Sequence, residues 1–220
     1  MKVSSSKENY IKAIYHLQEE DGIVTTNALA RQIDTRAASV TDMLKKLKNQ
    51  KLLLYEKYRG FRLSPEGKKL ALQIIRKHRL WELFLVKKLR FGWEEVHEMA
   101  EELEHITSKK LVDRLDEFLG YPKADPHGDP IPDSNGKYAV KKQLSLTEMK
   151  LNSTGVVSNI ADQSPGMLEL LREKGLSIGT RVEIKRRFAF DDSVELKVKN
   201  LSSVTISGNV AKKVFVSHEE

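Results

Sequence analysis

The sequence predicts a mainly α-helical protein with a β-rich C-terminal part. Apolar residues recur at helical spacing over the first half of the chain, and short β-type runs between turn residues replace that pattern after Gly155. Charge is also uneven. The 220 residues carry a formal net charge of +7, and residues 1–75 alone hold 14 Lys and Arg against eight Asp and Glu. A basic surface confined to one end favours a polyanionic partner such as nucleic acid.

Composition excludes several classes of protein. The chain has no cysteine, which removes disulfides, thiolate metal ligands and cysteine nucleophiles. It has no apolar run near the ~18 residues that a membrane span needs, and its N-terminus lacks the apolar segment of a secretion signal. We therefore expect a cytoplasmic protein without a membrane partner.

The basic first third, residues 1–64, is predicted to form a winged helix-turn-helix domain. Three helices are expected in a row, with capping residues at Ser5, Thr26 and Thr35. Two strand-like runs, 52–57 and 61–63, flank a basic and aromatic tip and would form the wing. A helix-hairpin module that contacts proteins is the alternative for this pattern.

The outer face of the third helix predicts how DNA would be read. Small polar residues at its start can approach base edges, and lysines behind them can reach phosphates. The expected base contacts are Arg36, Ala38, Ser39 and Asp42. The expected phosphate contacts are Lys45, Lys46, Lys57 and Arg59.

A helix beginning near Trp93 carries the pattern of a metal site. Residues 94–108 hold six glutamates, two histidines and no lysine or arginine, and like charges at such spacing repel. One face of this helix, about 100° wide, displays His97, Glu101, Glu104 and His105. On the preceding helix, His78 and Glu82 lie one turn apart. Such ligands suit Mn(II), Fe(II), Co(II) or Zn(II), although a solvated glutamate-rich face is the alternative.

Catalysis has little support in the sequence. The segment His97 to Glu101 resembles the zinc-peptidase pattern H-E-x-x-H but lacks its second histidine, and the chain has no nucleophile elbow or phosphate-binding glycine motif. We expect no enzyme and no small-molecule substrate. A metallohydrolase and a metal-independent winged-helix regulator remain the competing hypotheses.

The last third is predicted to form a small β barrel with one helix at 167–174. The expected strands are 156–160, 182–187, 194–198, 204–206 and 214–216. A Pro- and Gly-rich turn segment at 125–132 precedes them, and His127 within it is expected to be an ordinary loop histidine.

These motifs together resemble the diphtheria-toxin-repressor family, most of all its manganese-responsive branch with an SH3-like C-terminal domain. The resemblance spans essentially the whole chain and is carried by ENYIKAIY (8–15), YEKYRG (55–60), HRLWE (78–82), the segment 97–105 and PHGDPIP (126–132). It implies a DNA-binding domain at 1–64, a helical metal-binding and dimerisation domain at 65–134, a linker at 135–153 and an SH3-like (FeoA-like) domain at 154–220.

The resemblance also implies a homodimer that binds a divalent metal, then clamps a palindromic double-stranded operator and represses metal-uptake genes. The implied regulatory site is Asn9, Glu101, Glu104 and His105. The implied second site is His78, Glu82, His97 and Asp162, with Gln163 as a neighbouring candidate. Mn(II) is expected, with Fe(II) as the alternative and Zn(II) or Co(II) able to bind in vitro.

This chain departs from the family pattern at two positions of the first helix. Asn9 stands where the manganese branch has an aspartate, and Lys12 stands where that branch often has a glutamate. We expect repulsion between Glu101 and Glu104 to leave the first helix loosely held without metal. Metal would then tie that helix to the dimerising helices and set the two recognition helices near one groove repeat, about 34 Å.

Overall fold

The computed structural model describes residues 4–56, 60–139, 142–198 and 203–217. The chain forms two compact units. The first unit comprises the chain up to His78 together with Glu102–Asp113 and Pro132–Lys137. The second unit comprises Arg79–Glu101, Arg114–Ile131 and the chain from Tyr138 onwards.

The first unit contains the predicted winged helix. Its elements in order are α1 (Ser5–Asp21), α2 (Thr26–Gln32), α3 (Ala37–Asn49), β1 (Leu53–Glu56), β2 (Gly60–Leu63) and the start of α4 (Pro65–Leu89). The two strands pair antiparallel, and a bridge between Val24 and Phe61 joins the hairpin to the segment before α2. The helices enclose a fully buried apolar core that includes Ile11, Ile14, Leu29, Leu47 and Ile74.

For each of the first three helices, the observed N-cap lies one residue away from the predicted one. The observed N-caps are Ser4, Thr25 and Arg36, in place of Ser5, Thr26 and Thr35. Of these three caps, Thr25 has a capping side chain, because its Oγ1 accepts a hydrogen bond from the amide of Ala28 at 3.2 Å. An N-cap needs extended backbone, which Thr25 has (φ −97°, ψ 155°), whereas Thr26 is already helical.

Three helices follow one another in the middle of the chain. After α4 come α5 (Val96–Ile106) and α6 (Lys109–Phe118). The prediction placed the start of α5 near Trp93, which is too early, and it missed α6. All three helices contribute residues to both units.

The second unit ends in a six-stranded antiparallel sheet of order β3-β8-β4-β5-β6-β7. Its strands and helices are β3 (Leu144–Ser145), β4 (Thr154–Ile160), α7 (Pro165–Glu173), β5 (Arg181–Arg187), β6 (Val194–Val198), β7 (Val204–Ile206), α8 (Gly208–Ala211) and β8 (Val214–Ser217). The five predicted strands and the helix are present, and β3 and α8 were missed. Strand β3 and two buried core residues, Leu146 and Met149, lie inside the predicted linker 135–153, so the connector is shorter than expected.

No helix among the described residues combines the length and the apolar character that crossing a membrane requires.

Candidate metal centres and DNA-reading surface

The first unit places a buried carboxylate, that of Glu104, against two basic groups. Its side chain is 0% exposed, and the ammonium of Lys12 donates to both oxygens, at 2.9 and 3.0 Å. His78 Nδ1 lies 2.8 Å from Oε2. Burial by itself raises the pKa of Glu104, but the His78 hydrogen bond and the Lys12 charge outweigh it, so the pKa lies below its usual value. The negative charge of Glu104 is therefore offset by Lys12 and His78. The expectation that repulsion at this carboxylate is unopposed is wrong.

His105 lies beside this carboxylate and is oriented by Glu8. Its Nδ1 is 2.6 Å from Glu8 Oε2, and a carboxylate only accepts, so Nδ1 carries the hydrogen. The other nitrogen, Nε2, is buried without a hydrogen-bond partner in the described part of the chain and lies 3.7 Å from Glu104 Oε1. A histidine that binds metal ordinarily donates one ring N–H to an acid in this way and coordinates through its other nitrogen. We name Glu104, His105 and their supports Glu8 and Lys12 the first centre.

The second unit orients another imidazole, that of His127, in the same manner. Its Nε2 is 2.9 Å from the backbone oxygen of Trp93, which can only accept, so Nε2 carries the hydrogen. The other nitrogen, Nδ1, is buried without a hydrogen-bond partner among the described residues and lies 3.8 Å from Glu82 Oε2. The side chain is 0% exposed. His127 is thus not the ordinary loop histidine that the sequence suggested.

Two buried carboxylates, those of Glu82 and Asp125, complete this second cluster. One ligand atom from each of Glu82, Asp125 and His127 can be chosen so that all three lie within 4.8 Å of one another. Burial, followed by the charges of Asp129 and Glu82, raises the pKa of Asp125 well above its usual value, against the opposing charge of Arg79. Acidic groups crowded in a dry site are what a divalent cation stabilises. We name these three residues the second centre.

The residues of the second site that the resemblance implied have different partners in the structure. His97, 54% exposed, has Nδ1 at 3.4 Å from Glu82 Oε1 and Nε2 at 3.7 Å from Glu101 Oε1. His78 pairs with Glu104 in the first unit. Asp162 accepts hydrogen bonds from the amide and the hydroxyl of Ser164 at the start of α7.

Two other candidates from the sequence also have defined surroundings. Gln163 donates to Asp129 Oδ2 at 3.0 Å, next to the second centre. Asn9 is exposed on α1. Sequence reasoning missed the roles of Glu8, Asp125 and His127. The clustering of Asp125, His127 and Asp129 in one short turn was the signal that could have revealed the last two.

The outer face of α3 is open, as expected for a recognition helix. Val40 and Leu47 are buried on its inner side, and the predicted contact residues Arg36, Ala38, Ser39, Asp42, Lys45 and Lys46 are exposed. The other two, Lys57 and Arg59, lie outside the described residues. Lys48 lies over the ring of Tyr55 on β1, at 5.7 Å, so the helix and the hairpin present one basic and aromatic surface.

Sequence profiles of three known domains match this chain in succession. Residues 2–61 match the N-terminal DNA-binding domain of iron-dependent repressors, and residues 64–133 match their metal-binding and dimerisation domain. Residues 144–218 match the FeoA domain. The chain belongs to the diphtheria-toxin-repressor family of iron- and manganese-dependent repressors.

Curated relatives and solved structures agree with this assignment. The transcriptional regulator MntR of Oceanobacillus iheyensis is 35% identical over 149 residues, which is 68% of this chain and 95% of the relative. The iron-dependent repressor IdeR of Mycobacterium leprae is 28% identical over 95% of both chains. A manganese-dependent transcriptional repressor in complex with manganese superposes with a TM-score of 0.85 at 33% identity, covering 96% of this chain and 98% of that one. ScaR with bound Cd²⁺ gives 0.80 at 34% identity, covering 96% and 98%.

Membership of the family decides between the hypotheses that the sequence left open. The family consists of metal-dependent, DNA-binding transcriptional repressors and not of enzymes, so the hydrolase hypothesis and the metal-independent one are both excluded. Family members bind operator DNA and dimerise. The predicted fold class, with helical N-terminal domains and an SH3-like C-terminal sheet, is confirmed.

Proposed function

We propose that this chain is a manganese-responsive repressor that acts in the cytoplasm as a homodimer on a palindromic operator, with ferrous iron as its alternative activator. One observation carries the proposal. His105, which is 12% exposed, and His127, which is buried, each donate through one ring nitrogen and turn the other, a buried atom, towards a carboxylate. Such an arrangement is typical of histidine metal ligands.

The ligand sets follow from the two centres. Glu104 and His105 would hold one ion, with Glu101, one helical turn before His105, and Asn9 on α1 as the further ligands that the family pattern supplies. Glu82, Asp125 and His127 would hold another. His97 and Asp162 are the further candidates there, and His78 would support Glu104.

The donor types favour manganese. Carboxylate oxygens and imidazole nitrogens without any thiolate suit Mn(II) and Fe(II), while softer ligands would favour zinc or copper. A bound divalent ion would supply positive charge to buried carboxylates. In a two-fold dimer that charge would stabilise the arrangement in which both recognition helices meet successive major grooves, about 34 Å apart.

Operator binding under controlled metal tests the proposal. Double-stranded DNA is selected from a random pool in the presence of Mn(II), and its affinity is then measured in EDTA, in Mn(II) and in anaerobic Fe(II). We expect Mn(II) to raise the affinity by about tenfold or more, and we expect the selected sites to be inverted repeats.

Three variants test which residues the response to Mn(II) depends on. Glu104→Ala and His127→Asn should each lose most of the response to Mn(II), whereas His16→Asn, which alters an exposed histidine on α1, should keep it. Equal affinity in EDTA and Mn(II), unchanged by Glu104→Ala, would overturn the proposal.

A further inference from the structure

Lys12 occupies a position that a metal-binding site ordinarily keeps free of protein cations. Its ammonium lies between two elements of the first unit and joins α1 to the carboxylate of Glu104 on α5. The lysine side chain is 13% exposed and the glutamate is 0% exposed, so water screens the pair poorly. A contact of this kind is stronger than a surface ion pair.

Two acids of the first centre already have a lysine as partner. Lys12 pairs with Glu104, and Lys77 lies 3.5 Å from Glu8, the residue that orients His105. Protein cations therefore reach this centre before any external cation does.

We propose that Lys12 is a tethered cation of the first centre, which holds α1 on α5 without metal and competes with a divalent ion for Glu104. Both oxygens of Glu104 accept from Lys12, so a divalent ion at that carboxylate would lie beside the ammonium charge, and the two cations would compete for it. Activation then exchanges one cation for another. The tether stands on the contacts alone, and the competition rests on the proposed function.

Three variants test the tether and the competition separately. Lys12→Met removes the charge and keeps the length of the side chain. Lys12→Arg keeps the charge. Lys69→Met is the control, because Lys69 is an exposed lysine of α4.

Hydrogen exchange in EDTA tests the tether. We expect the amides of α1 to exchange about tenfold faster or more in Lys12→Met, with the β4–β6 amides unchanged, and we expect wild-type rates in Lys12→Arg and Lys69→Met. Wild-type exchange of α1 in Lys12→Met would overturn the tether. This measurement uses no metal and no DNA, so it remains decisive if the repressor function is wrong.

Calorimetric titration with Mn(II) tests the competition. Removal of the competing charge should tighten binding at the first centre by about tenfold or more in Lys12→Met, while Lys69→Met stays within about threefold of wild type. Unchanged or weaker binding of Mn(II) in Lys12→Met would overturn the competition.

A measurement on the wild-type protein covers the case in which Lys12→Met does not fold. The hydrogen-bonded ammonium of Lys12, assigned by its loss in Lys12→Arg, should give a resolved nitrogen-15 resonance in metal-free protein. Saturation with diamagnetic Zn(II) should abolish that resonance. Its persistence at saturation would contradict displacement.

Discussion

At the scale of single residues, hydrogen-bond partners decide which histidines are prepared to bind metal. His97 and His127 both lie near Glu82, yet one is 54% exposed and the other 0%. The carbonyl of Trp93 accepts from Nε2 of His127, so the nitrogen that faces Glu82 is the one left to coordinate a metal. This preparation depends on a backbone atom far from His127 in the sequence, and spacing within one helix could not reveal it.

Gly128, next to His127, is predicted to be irreplaceable. Its φ is +92°, and a Cβ added there would meet the backbone oxygen of Ser158 at 2.0 Å, so the loop would have to move. We expect Gly128→Ala to lower the free energy of unfolding by about 2 kcal/mol or more, as measured by urea denaturation.

Gly166 provides the matched control for this loop. An added Cβ at Gly166 in α7 meets no atom within 4 Å. Gly166→Ala should be neutral or should stabilise by up to about 1 kcal/mol. Equal stability of the two variants would show that the loop adapts to a side chain at 128.

At the scale of elements, periodicity predicted most of the fold because apolar spacing is a local property. The strands β4 to β8 lie within one or two residues of their predicted bounds. The two-residue strand β3 was missed, since a run so short carries no periodicity and is defined by its pairing with β8. On α5 the predicted cluster of acids and histidines is present. The pairing of Glu104 with Lys12, however, depends on how α1 packs against α5, which local spacing does not show.

The start of α2 offers a test of capping. Thr25 accepts from the amide of Ala28, whereas Thr26 is the first helical residue. Thr25→Ala should therefore destabilise the protein by about 1 kcal/mol, and Thr26→Ala should change stability by less than about 0.5 kcal/mol. Chemical denaturation of the two variants at one pH would measure the difference, and the reverse order would support the cap that the sequence suggested.

The exposed lysines of α3 predict a change in the salt dependence of DNA binding. If Lys46 contacts a phosphate, Lys46→Ala should lower the slope of log affinity against log salt by about one unit on any sequence. Lys69→Ala, at an exposed lysine of α4, should leave the slope unchanged. Fluorescence anisotropy between low and moderate salt would measure it, and equal slopes for both variants would remove Lys46 from the interface.

At the scale of the whole molecule, the proposed DNA contacts and the proposed metal ligands are different side chains. The surplus of basic residues lies in residues 1–75, whereas the ligand carboxylates of the two centres, those of Glu82, Glu104 and Asp125, lie further along the chain. In the proposed function DNA and metal would bind through different groups, so we expect each to influence the other through the conformation of the protein.

Coupling through conformation has a thermodynamic consequence that can be measured. The factor by which Mn(II) raises operator affinity must equal the factor by which operator raises the affinity for Mn(II). We expect calorimetry with and without saturating operator, and anisotropy with and without saturating Mn(II), to give two ratios that agree within error. Glu104→Ala should move both ratios towards one together. If Glu104→Ala instead weakened Mn(II) binding by the same factor with and without operator, both ratios would keep their wild-type value, and Glu104 would act on metal affinity and not on the coupling.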